Sequence, residues 1–130
     1  MKRLNIICTV VFAVIMILAG LMHFIKPHIY YSFIPDWLPK NIVNYITGVI
    51  EIFLGMASLM PRSRTWGTLG ILFLMLAFLP LHTLDLFKQH PAIGSHQAAL
   101  IRFPIQFVLI FWAWFIYKNS KEKFLTDNKH

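Results

Sequence analysis

Residues 41–60, NIVNYITGVIEIFLGMASLM, constrain this chain more than any other stretch. The run is apolar and long enough to cross a bilayer, which takes about 20 helical residues at ~1.5 Å each. It nevertheless carries Glu51 near its middle. A carboxylate at that depth costs several kcal/mol or more unless it is paired, solvated or protonated. At the helical period, Asn44, Thr47, Gly48, Glu51, Gly55 and Ser58 fall within one sector of about 100°. Ile, Val, Leu and Phe take the rest of the circumference and suit lipid. Small residues on the polar face let a neighbouring helix backbone approach closely. The expected arrangement is therefore a helix whose polar face looks into a bundle, with Glu51 aimed at its interior.

Composition agrees with a membrane setting. Hydrophobic residues make up 58% of the 130-residue chain and charged residues 13%, against about 25% in soluble proteins. The mean hydropathy is +0.64. A net charge of +7 does not point to nucleic acid, because the Lys and Arg residues sit at the ends of apolar runs. Cys8 is the single cysteine, so no disulfide and no CxxC pair can form within the chain. A redox role would need a bound cofactor or a partner protein. No self-contained catalytic motif is present, which leaves enzymatic activity open.

Four apolar runs, at about 4–25, 42–60, 66–87 and 100–117, predict an all-α transmembrane four-helix bundle forming one domain over residues 1–117. The first run follows Met-Lys-Arg but is too long for a signal-peptide core. Its residues Thr9, Phe12, Met16, Ala19, Gly20 and His23 share a face. Between the first two runs lies KPHIYYSFIPDWLPK, residues 26–40, rich in Pro, Tyr and Trp. That composition predicts a short interfacial loop or helix that lids the bundle. Pro80 is expected to kink the third helix, and Pro104 to lie in the first turn of the fourth. Residues 118–130 read as a charged, frayed cytoplasmic tail.

Counting Lys and Arg sets the expected orientation. Lys2, Arg3, Arg62, Arg64, Lys118, Lys121, Lys123 and Lys129 fall on one side, and Lys26, Lys40, Lys88 and Arg102 on the other. The side with more positive charge is cytoplasmic, which puts both termini there.

That orientation gathers the ionisable residues into the outer half. His23 ends the first helix, and Glu51 lies about 15 Å into the second. His82 and Asp85 are one turn apart on the third and are expected to interact. Arg102 and Gln106 are one turn apart on the fourth, with Arg102 expected to pair with Asp85 or Glu51. His23, Glu51, His82, Asp85, Arg102 and Gln106 are thus the candidate lining of an outward polar cavity over an apolar floor. A network that only fixes helix register is the alternative. Bis-histidine haem ligation by His23 and His82 has no further signal, and zinc ligation lacks a spacing motif, so no metal is assigned.

The order AGLMHFIKPHIYYSFIPDWLPK, TGVIEIFLGMASLMPRSR, AFLP and IRFPIQFVLIFWAW resembles the DoxX-like family of small four-helix membrane proteins. The resemblance covers about residues 19–115. It rests on Gly20, His23 and Pro27, on Pro35, Leu38 and Pro39, on Gly48, Glu51, Gly55, Pro61 and Arg64, and on Arg102, Pro104 and Gln106. Phe78 and Pro80 are similar to a shortened form of the family's Phe-Pro turn, with His82 and Asp85 where an Asn-containing segment often follows. The resemblance implies a multi-pass protein of the bacterial inner membrane, an accessory subunit or binder in a quinone-linked redox system. Its implied partners are the lipid bilayer, a membrane oxidoreductase and a small hydrophobic or polar ligand, a quinone among them. A carrier of a small lipid or solute, or a structural assembly partner, are the alternatives.

Overall fold

The structure is a computed structural model that describes residues 2–92 and 94–127. Five helices follow in order: α1 (Lys2–Ile25), α2 (His28–Tyr31), α3 (Lys40–Leu59), α4 (Arg64–Leu86) and α5 (His96–Asp127). All but α2 are long and apolar enough to cross a membrane. Together they form a four-helix bundle, with α2 set across one end. No strand occurs among the described residues.

The polar face of α3 is the face that packs. Asn44, Gly48, Glu51, Gly55 and Ser58 are all buried, whereas Ile42, Ile46, Val49 and Phe53 on the other sides are exposed to the lipid zone. The most extensive packing is of α1 on α3 and of α4 on α5, with α3 also against α4. Between the pairs lies a core of Phe12, Met16, Ile71, Met75, Ala113 and Ile116.

The tight link between α3 and α4 is held by polar groups that finish α3. The last carbonyls of a helix have no partner within it. Here Ser63 Oγ donates to Ala57 O at 2.9 Å, Arg64 Nε to Ser58 O and Arg64 Nη2 to Leu59 O, both at 3.1 Å. A cation there also complements the negative end of the helix dipole. Arg64→Ala should therefore lower bundle stability by about 1 kcal/mol, measured by unfolding in mixed micelles. No change would mean that lipid headgroups satisfy these carbonyls equally well.

Three expectations change. The last helix begins at His96, because Ser95 Oγ accepts the Ala98 N–H at 3.1 Å and caps it. Pro104 thus lies well past the first turn, inside the helix. Residues 118–127 continue α5 as helix instead of fraying, while residues 128–130 of the expected tail lie outside the described residues. The half of the bundle near the chain termini is not purely apolar. Thr68 Oγ1 and Ser120 Oγ lie 2.9 Å apart, and Thr65 Oγ1 donates to Ser120 O at 3.2 Å. These hydroxyls also bond carbonyls of their own helices, so the contact introduces no unpaired polar atom.

Candidate functional site: a cavity under α2

At the α2 end the helices enclose a cavity of about 380 Å³, within the range of small-molecule sites. Its apolar wall includes Phe12, Met16, Met75, Phe78 and Leu109. The polar lining comes from His23 on α1, Tyr30 on α2, Asn44, Thr47 and Glu51 on α3, His82 on α4 and Arg102 on α5. Every helix therefore contributes a polar group.

The polar centre is built from α1 and α3. Close approach of these helices is possible because Gly20 and Gly48 face each other. A Cβ on Gly20 would sit 2.7 Å from Gly48 O, and one on Gly48 would sit 2.7 Å from His23 Cβ. The contact brings His23 to Asn44 and Glu51, one turn to either side of Gly48. Asn44 Nδ2 donates to His23 O at 2.8 Å, which orients the amide so that Oδ1 faces His23 Nδ1 at 2.7 Å. His23 must then carry its proton on Nδ1. The other ring nitrogen, Nε2, lies 3.6 Å from Glu51 Oε2. His23, Asn44 and Glu51 are all at least 95% buried.

The segment between α1 and α3 covers this centre. The Tyr30 ring stacks on His23 with centroids 3.6 Å apart and planes at 15°. Burial and, secondarily, the Glu51 charge raise the Tyr30 pKa above its ordinary value, so the phenol keeps its proton. Tyr30 Oη donates to Ala19 O at 3.4 Å. Phe33 and Ile34 also line the cavity, and Phe33 meets the His82 ring edge-on at 5.4 Å. Trp37, by contrast, is 81% exposed and takes no part in the lid; an exposed Trp there suits the headgroup region. The lid is tied down by Tyr31 Oη to Asn41 Oδ1 and by Lys88 Nζ to Ser32 O at 2.6 Å. Asp36 and Lys40 add an exposed ion pair at 2.6 Å, and Lys40 holds the Asp36 pKa below its usual range.

Of the six residues expected to line the site, His23, Glu51, His82 and Arg102 do so. Asp85 and Gln106 are buried but outside the cavity lining. Asp85 turns toward the α4–α5 loop, where Oδ1 accepts the Ala92 N–H at 2.8 Å and lies 3.8 Å from Lys88 Nζ. A backbone donor has replaced the expected His82 and Arg102 partners. Gln106 Nε2 donates to Met75 O at 2.6 Å and joins α5 to α4. Arg102 forms no ion pair with Asp85 or Glu51. Glu51 Oε2, His82 Nδ1 and Arg102 Nη1 are buried without a hydrogen-bond partner. Asn44 and Tyr30 are site residues that sequence reasoning left out. Asn44 carries a signal, since it shares the Glu51 face two turns away; Tyr30 belongs to the segment expected to lid the bundle, but its stacking on His23 has no signal in the spacing.

Among the described residues, no group of three or more His, Cys, Asp or Glu comes together to hold a metal ion. The site defines a multi-pass membrane bundle with a lidded internal cavity, polar at one end. Residues 12–117 match a family described as a domain of unknown function, DUF8561, and the chain belongs to that family. Searches of curated proteins and of solved structures find no match.

Proposed function

We propose that this protein binds a small, largely apolar molecule within the membrane, its polar head turned toward His23, Glu51, His82 and Arg102. One observation carries the reading. Glu51 Oε2, His82 Nδ1 and Arg102 Nη1 come from three helices, border one cavity and lack hydrogen-bond partners in the protein. Burying such atoms unpaired costs about 1–3 kcal/mol each, more when charged. A ligand head that bonds them removes that cost, while the apolar wall accepts the ligand body.

The DoxX-like resemblance supports setting this binder beside a membrane oxidoreductase, as an accessory subunit in a quinone-linked system. A quinone has the flat apolar body and the hydrogen-bond-accepting head that the cavity suits. The second reading is a lipid or solute carrier that transfers no electrons. It is favoured by Arg102, whose charge a neutral quinone does not match. The basic-residue bias supports a bacterial inner-membrane topology with both termini cytoplasmic and the α2 end outward.

The test is mass spectrometry of protein purified from native membranes, alongside Ala19→Trp. Ala19 lines the cavity, and an indole there fills much of it. A compound retained by the wild type and depleted at least tenfold in Ala19→Trp is the expected result. Identical small-molecule profiles for the two proteins would remove the binding reading.

A further inference from the structure

Arg102 presents a charge that the protein leaves unmatched. Its Nη1 is buried without a hydrogen-bond partner and the residue lines the cavity. Salt bridges among the described residues join His23 to Glu51, Lys40 to Asp36 and Lys88 to Asp85, and none reaches Arg102. The other groups around the cavity do not supply the missing negative charge. Glu51 on α3 is already engaged by His23 on α1, 3.6 Å away. Tyr30 on α2 stays a phenol, and His82 on α4 is never an anion. Arg102 is therefore a cavity-lining cation with no carboxylate in ion-pair reach, and its charge is fixed because a guanidinium does not lose its proton in a protein.

A half-buried guanidinium whose Nη1 is buried without a partner or counter-charge is costly. Its fork of donors fits a planar carboxylate, which can accept two parallel hydrogen bonds. The rest of the lining fits a hydrocarbon or aromatic body: Phe12, Met16, Met75, Phe78 and Leu109 face the same space. We propose that the cavity takes an amphipathic monoanion, a carboxylate on an apolar body, with Arg102 as its counter-charge. This rests on the binding reading above and adds the charge of the ligand head. A neutral quinone is the competing outcome.

The test uses the full chain in detergent micelles at pH 8, where an ordinary carboxylic acid is ionised. Calorimetry would compare 4-hexylbenzoate, its neutral isostere 4-hexylbenzamide and decylbenzoquinone. A charge-assisted hydrogen bond favours the benzoate by roughly 10- to 100-fold over both neutral probes. Arg102→Gln should abolish that preference, and Arg102→Lys should keep part of it. The wild-type comparison decides the charge question even if Arg102→Gln does not fold. A neutral probe binding as tightly as the benzoate, with Ala19→Trp weakening both, would overturn the anionic head and leave the binding reading standing. A benzoate preference that survives in folded Arg102→Gln would overturn the role of Arg102. No binding of any probe, or binding unaffected by Ala19→Trp, would overturn both proposals.

Discussion

Gly48→Val is expected to destabilise the bundle by about 3 kcal/mol, at the upper end for overpacking a close contact. Even the first added carbon has no room. A Cβ at Gly48 would lie 2.7 Å from His23 Cβ and 2.9 Å from Gly20 O. One of these is backbone, and neither is the free end of a side chain. Relief would require α1 and α3 to move apart. Within lipid, helix association depends on such close packing and not on exclusion from water, so separation is not offset elsewhere. The same movement would take His23 away from Asn44 and Glu51, so the polar centre of the cavity should be lost together with stability. Gly70→Ala provides the contrast. Its Cβ would meet Leu54 Cδ2, the free end of a flexible side chain. Leu54 can change rotamer, and the loss should be clearly smaller. Reversible unfolding in mixed micelles would rank the two. Equal losses, or none at Gly48, would contradict the backbone-contact account.

Asn44→Leu is the second substitution with a large expected effect, about 2 kcal/mol of stability. Asn44 is completely buried and makes two hydrogen bonds to one residue, His23 Nδ1 at 2.7 Å and His23 O at 2.8 Å. Interhelical hydrogen bonds in membranes average about 0.6 kcal/mol and reach about 1.7. Leucine would remove both and leave the Nδ1–H without an acceptor, which adds a desolvation cost. The tautomer of His23 would also lose its determinant. Glu51→Gln should cost less, because an amide can still donate to or accept from His23 Nε2. Imidazole ¹⁵N NMR reads the second effect directly: Nδ1 protonated in the wild type, mixed tautomers in Asn44→Leu. Unchanged stability with an unchanged tautomer would show that Asn44 neither holds the helices together nor orients the ring.

The residues differ in how far their roles are visible before folding. The four apolar helices and the buried face of α3 follow from length and period, which are local properties of the chain. Asn44, Thr47, Gly48, Glu51, Gly55 and Ser58 lie on one face at any helix position. Lipid on the remaining faces leaves that one to pack inward. The proline-rich segment after α1 likewise had to leave the helix, and its aromatic residues favour the membrane surface. Helix ends were less legible. Ser95 moved the start of α5 by capping a turn that lies outside the apolar run, since capping needs one hydroxyl and no hydrophobicity.

Pairing of the charged side chains was settled only by tertiary structure. Asp85 and His82 are spaced to meet on a helix, yet Asp85 sits at its end, where the unpaired Ala92 N–H of the returning loop competes and wins. Arg102 shares the α2 end with two carboxylates, but each has another partner, Ala92 and Lys88 for Asp85, His23 for Glu51. Tyr30 reaches His23 because α2 folds back over the bundle. Sequence fixes which groups lie at one depth of the membrane, since depth is a count of residues along a helix. Which of them touch depends on helix rotation and on separation. Here both are set by the contact between Gly20 and Gly48, and by a single loop amide that binds Asp85 outside the cavity.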